Sequence, residues 1–294
     1  MHRMIAILVA SASLTLGPAA LAQTDWTPVG QALGRDGTLQ GDIYRVGLPR
    51  TDLKVSVDGV DIKPTLALGG WLAFRSMGAD AMVMGDLVLT QQELNPVMAR
   101  LAQDGIEITA IHNHLLRAEP FTLYMHVSGR GDPVMLATHL HDALSLSATP
   151  LTLTTASSPP ATLDLDQNGI ERALGRKGKV NGGVLQFGIA RGEPVKDEGM
   201  EVPEAMGSAI SINMQPTGGG KVAATGDFVL TAGEVNPVLR ELRSHGIEVT
   251  ALHNHMLADE PRLFFMHFWA HDDAAKVAAG LRAGLDKVSL APAR

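Results

Sequence analysis

Cysteine is absent from all 294 residues. No disulfide can staple the fold, a lipid cannot be attached at a signal-peptide cysteine, and thiolate catalysis and thiolate metal sites are excluded. Any transition metal must be held by His, Asp, Glu or Met. Basic residues are also short: 24 Lys and Arg stand against 31 Asp and Glu, a net charge of -7. No positive field exists to attract a phosphate backbone, so nucleic acid is not an expected partner. Beyond the first 22 residues no apolar run approaches the roughly 18 residues a membrane span needs, which leaves the mature chain without a transmembrane segment. What is present, 45% apolar and 19% charged residues, is neither disordered nor collagen-like. The length suits two domains, each with its own core.

The start of the chain reads as an export signal. His2 and Arg3 form a short basic start, Met4 to Leu16 an apolar run, and Ala20-Leu21-Ala22 a small-residue cleavage site. Residues 1–22 are thus expected to be removed, leaving Gln23 first in a periplasmic or secreted protein.

An internal duplication organises the rest, at an offset of 141 residues. Ala32-Leu33-Gly34-Arg35 recurs as Ala173-Leu174-Gly175-Arg176, and Gly85 to His126 aligns without gaps to Gly226 to His267, with 23 of 42 positions identical. The expected organisation is a first repeat over 23–149, a linker over 150–169 and a second repeat over 170–294. Ser157-Ser158-Pro159-Pro160 marks the linker as extended.

Each copy carries the same coarse pattern. A short helix over Thr27 to Leu33 precedes β segments near 42–47, 53–57, 72–75 and 81–89. Asn95-Pro96 suits an N-cap and first helical position, with Gly105 as the stop. Strands over 106–114 and 121–127 follow, and Asp132-Pro133 opens a final helix through Leu144. The hairpin before Gly226 is expected to carry extra residues at Gly218-Gly219-Gly220. This order predicts an α+β fold: two tandem homologous copies, each a mainly antiparallel sheet with helices on one face, a ferredoxin-like core, and pseudo-two-fold symmetry.

The candidate chemistry lies in the strand pair after the first long helix. Copy one reads His112-Asn113-His114, then Glu119-Pro120 and His126; copy two reads His253-Asn254-His255, then Glu260-Pro261 and His267. Strand side chains alternate faces, so histidines at i and i+2 point the same way and can present two imidazoles to one ion. Glu119 and Glu260, at the turns, could approach from the side. Hairpin arithmetic ranks His126 and His267 lower. A turn pairing His114 with Pro120 sets His126 opposite Ile108, roughly 13 Å from His112 at ~3.3 Å per residue. Only a bulge or a longer loop would bring it closer. Imidazole and carboxylate together suit a divalent transition metal, with Zn or Cu foremost. Paired histidines can also serve structure alone, donating hydrogen bonds across a sheet or lining the contact between copies.

Other residues carry weaker signals. Glu93 and Glu234 have capping-box spacing from Thr90 and Thr231 and read as helix-start residues. His139 and His141 lie on a helix where i and i+2 do not share a face, and both read as exposed, as do His245 and His271. Met82, Met84, Met125 and Met266 read as core. Gly218-Gly219-Gly220-Lys221 lacks the Walker spacing, and no Gly-x-Ser-x-Gly elbow occurs.

The duplicated pattern as a whole, Gly-Asp-x-Val-Leu-Thr, Glu-x-Asn-Pro-Val, Gly-Ile-Glu-x-Thr-Ala, His-Asn-His and Glu-Pro, resembles the LppY/LpqO family of bacterial envelope proteins over nearly the full mature chain. The resemblance implies export and duplication, not a reaction. Lacking cysteine, this chain departs from the lipoprotein members. The sequence therefore supports an exported protein that binds a metal ion through a His-x-His/Glu cluster in each repeat, in metal handling. The alternatives are a metal-dependent hydrolase of the envelope and a metal-free module binding a small ligand or an envelope partner. A homo-oligomer is left open.

Overall fold

The computed structural model describes residues 24–152 and 163–293. The expected export signal and the centre of the expected linker, including Ser157 to Pro160, lie outside the described residues.

The first repeat runs α1 (Thr27–Leu33), β1 (Thr38–Gln40), β2 (Ile43–Pro49), β3 (Val55–Val57), β4 (Val60–Ile62), α2 (Pro64–Ala67), β5 (Gly69–Met77) and β6 (Asp80–Thr90). It continues with α3 (Gln91–Gln103), β7 (Glu107–His112), β8 (Ala118–Glu119), β9 (Thr122–Gly131) and α4 (Pro133–Leu144). The second runs α5 (Gln167–Leu174), β10 (Lys179–Asn181), β11 (Val184–Ile189), β12 (Lys196–Asp197), β13 (Met200–Glu201) and β14 (Ile210–Gly218). Then come β15 (Lys221–Thr231), α6 (Ala232–Ser244), β16 (Glu248–His253), β17 (Asp259–Glu260), β18 (Leu263–Asp273) and α7 (Ala274–Leu285).

Each repeat builds a six-stranded antiparallel sheet, ordered β1-β2-β5-β6-β9-β7 in the first and β10-β11-β14-β15-β18-β16 in the second. Strands β6 and β7 flank β9, and α3 crosses between them, which is the split β-α-β of a ferredoxin-like core. The strand beside β6 is β5, which arrives before β6 in the chain.

Two expectations from sequence need correction. Helix α3 starts at Gln91, ahead of Asn95-Pro96, because Thr90 and Glu93 close a reciprocal capping box and Pro96 is accommodated inside the helix. The hairpin at Gly218-Gly219-Gly220 has no extra length: β14 and β15 sit 141 residues after β5 and β6, and positive φ at all three glycines forms the turn.

Burial along the central strands explains the layering. In β6 the odd residues Ala81, Val83, Leu87 and Leu89 join one core with Val97 and Leu101 of α3 and Leu136 and Leu140 of α4. The even residues face the other way, Met82 and Met84 packing into the core of the second repeat and Val88 beside Ala223 and Trp269. A strand covered on both sides is apolar almost throughout, and β6 is buried from Ala81 to Leu89. The mirrored split holds in β15 and β18, where Phe228, Leu230, Met266 and Phe268 pack under Val238, Leu242, Val277 and Leu281. The result is four layers, helix–sheet–sheet–helix, with the two sheets face to face.

Polar contacts seal the rim of this seam. Gln215 accepts from the Lys63 amide (2.9 Å) and donates to the Asp61 carbonyl (2.7 Å), while Gln186 donates to the Thr65 carbonyl (2.7 Å). Thr250 donates to the carbonyl of His114 at 2.6 Å, tying the two histidine motifs together. At one edge Arg117 is gripped by Asp58 of its own repeat and Glu248 of the other, each at 2.8 Å. The position equivalent to Arg117 is Ala258, and there a groove of about 290 Å³ opens between Glu107, Asp197 and Glu198.

Candidate metal centre

Four strands bring the histidines to the middle of the seam. His126 on β9 pairs across with Asp86 on β6 and Ala110 on β7, and His112 pairs with Tyr124. The second repeat repeats this: His267 lies between Asp227 and Ala251, and His253 opposes Phe265. Because these residues sit on the faces turned away from the helices, all six imidazoles of the two motifs meet between the sheets.

The register corrects the hairpin arithmetic. His112 pairs with Tyr124 and Ala110 with His126 in unbroken register from the connection, and only beyond them does a bulge at Thr109 set Ile108 opposite Val127. His126 therefore lies near His112, ring centroids 5.0 Å apart. The same bulge at Thr250 serves the second copy. The longer connection through β8 supplies the shift that a tight turn could not.

The rings form stacks that cross the seam. His112 lies on His253 with centroids 3.6 Å apart. On one side Tyr124, His114 and His267 stack at 3.5 and 3.9 Å; on the other Phe265, His255 and His126 stack at 3.5 and 3.7 Å. The pseudo-two-fold axis thus passes between the two members of the central pair. The sequence-based expectation of one cluster per repeat gives way to a single cluster built by both.

Glu119 and Glu260 are not in it. Both are exposed, pairing with Ser56 and Lys196 in small accessory sheets. Alternation explains this, since Ala118 and Asp259 take the buried positions and turn their successors outward. Two residues that sequence reasoning passed over are present instead. Asp86 and Asp227 follow glycine in the Gly-Asp motif, cross-strand from His126 and His267. Asp86 is 7% exposed, with its carboxylate oxygens 4.0 Å from Nε2 of His114 and 3.9 Å from Nε2 of His126. The signal was a carboxylate on the even face of an apolar strand, repeated in both copies. The preceding glycine is sterically required: a Cβ at Gly85 would lie 2.9 Å from the Trp71 carbonyl, and one at Gly226 would collide with that of Ser211.

The other described histidines lie outside the cluster, and His139, expected to be exposed, is partly buried. His141 is half-buried, not exposed as expected, with Nδ1 donating to the carbonyl of Leu33 at 2.9 Å, and Arg282 does the same for Leu174 in the second repeat. Each caps the end of the first helix of its repeat. His245 is partly buried against the carbonyl of Glu241, and His271 is exposed.

Protonation follows from burial. Desolvation pushes His126 down to about 3, and holds His112, His114, His255 and His267 well below the usual imidazole range, with neighbouring imidazoles adding to the shift. Burial also lowers His253. Asp86 is pushed up to about 8 by burial and by Asp227, against the pull of Arg45, and Asp227 up to about 7 by burial. The centre is a set of neutral imidazoles beside neutral carboxyls at low pH.

Tautomers can be read from the backbone. Nδ1 of His253 lies 3.1 Å from the Asn254 carbonyl and Nδ1 of His267 3.2 Å from that of Gly226, and a carbonyl only accepts, so both Nδ1 atoms donate. Their Nε2 atoms then carry lone pairs. All six Nε2 atoms of the cluster, together with Oδ1 of Asp86, are buried without a hydrogen-bond partner. An orphaned buried polar atom costs about 1–3 kcal/mol, so seven in one place is an arrangement that a cation would relieve. Donor atoms of His112, His253, His255 and His267 all lie within 4.8 Å of one another.

Comparison with known proteins adds a family and little else. No curated protein matches the chain. The trimeric bacterial microcompartment shell protein PduB aligns at 11% identity over 86% of this chain and 89% of that one, with a TM-score of 0.21. EtuB from Clostridium kluyveri aligns at 9% over 85% and 90%, with a TM-score of 0.19. Superpositions this loose carry no argument. A family model matches twice, over residues 27–146 and 168–287, once for each sheet and its helices. The chain accordingly belongs to the family described as Domain of Unknown Function (DUF1259).

Proposed function

We propose that this protein binds a divalent transition metal at the histidine cluster between its repeats, and that it does so outside the cytoplasm, in metal handling. The observation that carries the reading is the convergence of six unpartnered, buried Nε2 atoms from two copies of one motif. Histidines that only supported the fold would spend both ring nitrogens on protein partners, because buried polar groups are as a rule hydrogen-bonded. Metal-ligating histidines instead donate one N–H to a carbonyl and turn the other nitrogen to the ion. His253 and His267 have this form. An all-nitrogen set suits Zn or Cu. Export rests on the first 22 residues and on the resemblance to the LppY/LpqO envelope proteins.

A hydrolase is less well supported. Among the described residues, the cavity touching His126 and His255 is about 10 Å³, room for one water and not for an envelope polymer. The test is metal analysis of mature protein purified without a His-tag. Stoichiometric Zn or Cu, lost in His253→Ala/His255→Ala, is expected. Protein that holds no metal, and whose melting temperature does not move on adding Zn or Cu, would overturn the reading.

A further inference from the structure

We infer that the centre takes two divalent ions in unlike sites, the second held by Asp86, His114 and His126. This rests on the metal reading above. The donor count raises the question: a tetrahedral ion uses four ligands, and His112, His253, His255 and His267 already form one mutually close set of four. Nε2 of His114 and of His126 remain, buried and unpartnered. Neither is idle in its surroundings, because each faces a different oxygen of the same carboxylate.

Asp86 is placed as a ligand, not as a support. A carboxylate that orients a metal-bound histidine hydrogen-bonds to the nitrogen away from the ion. Asp86 instead faces the Nε2 edges, at 4.0 Å from His114 and 3.9 Å from His126, too far for a hydrogen bond. Its Oδ1 has no partner at all. An ion about 2.1 Å from each ligand atom spans up to ~4.2 Å between an oxygen and a nitrogen. The observed gap from Asp86 to each nitrogen is of that size, and side-chain adjustment on binding would draw the two imidazoles to the shared carboxylate. Asp227 makes no comparable approach to an imidazole among the described residues, so the pseudo-symmetry is broken and the two sites differ.

The donor sets select different chemistry. Four imidazoles make a closed, nitrogen-only site; two imidazoles and one carboxylate leave a position free and also accept Mn or Fe. The cavity of about 10 Å³ that His126 lines with Met84 and Trp71 has room for a water-sized ligand beside that imidazole.

The test is ion stoichiometry by native mass spectrometry on mature protein titrated with Zn, with Cu(II) spin resonance as a second readout. Wild type is expected to hold two ions per chain, and Asp86→Asn and His114→Ala one each. Paired Cu(II) should show dipolar broadening that Asp86→Asn removes. Wild type saturating at one ion, or Asp86→Asn still holding two, would overturn the second site while leaving the first intact. Wild type holding none would sink the metal reading itself. Circular dichroism of each variant separates lost ligation from lost fold.

Discussion

Stripping the metal should expose a strong dependence of stability on acid. The six imidazoles of the centre have folded pKa values below their unfolded value, so their contribution is present above about pH 6.5 and is lost as pH falls below it. Each group held neutral between pH 7 and pH 5 forfeits about 1.9 kcal/mol, or ~9 kcal/mol for the five held far below the usual range, with His253 acting in the same direction. The carboxyls act in the other direction. Asp86 and Asp227, raised to about 8 and about 7, keep protons that the unfolded chain releases, so their contribution is complete below about pH 4 and fades as pH rises. Acidifying from pH 7 to pH 5 therefore returns about 5 kcal/mol. The net is a loss on the order of 4 kcal/mol, a large share of the stability of an ordinary domain, and an optimum near neutral pH. Urea unfolding of EDTA-treated protein at half-unit pH steps measures this directly. A midpoint that stays level or rises from pH 7 to pH 5 would refute the picture of buried neutral imidazoles. Asp86→Asn should steepen the acid side, because it removes a group that opposes the loss.

Three further outcomes separate ligands from scaffold. Saturating Zn at 100 times its Kd should stabilise the protein by about 2.7 kcal/mol, seen as a rise in melting temperature that EDTA reverses and His253→Ala/His255→Ala abolishes. Glu119→Gln and Glu260→Gln, at exposed positions outside the cluster, should leave metal stoichiometry unchanged in the same mass-spectrometric titration. Arg50→Ala removes a fully buried guanidinium that bridges the Val88 carbonyl and Glu93; it should cost about 3–5 kcal/mol in urea unfolding.

Much of the architecture was legible before any coordinates. The 141-residue offset set the repeats, the segments near 81–89 and 121–127 read as strands and are β6 and β9, and Asp132-Pro133 marked the start of α4, whose cap accepts from the amides of Val134 and Met135. What local pattern could not show was the face each strand turns to the other repeat. The histidines were found by spacing, but their meeting in one cluster depends on two sheets packing together, a contact with no signature in either sequence window. Glu119 and Glu260 misled because a charged residue beside a histidine motif resembles a ligand, whereas a two-residue accessory strand turns each outward. Asp86 and Asp227 escaped notice because they lie well upstream of the histidines in the chain and only strand pairing brings them together. The register of His126 was missed for a related reason, since the connection from His112 to Thr122 runs through the short strand β8, whose pairing with β3 no local pattern announces.

Because the ligand set is divided across the seam, an ion held there would be a crosslink between the two halves of a chain that has no cysteine. Such a tie would respond to chelators and to local metal supply and would be indifferent to reductants, whereas the disulfides of most exported proteins behave in the opposite way. Scarcity of the ion would then be felt as a loosening of one repeat from the other, and the seam itself would report how much metal surrounds the protein.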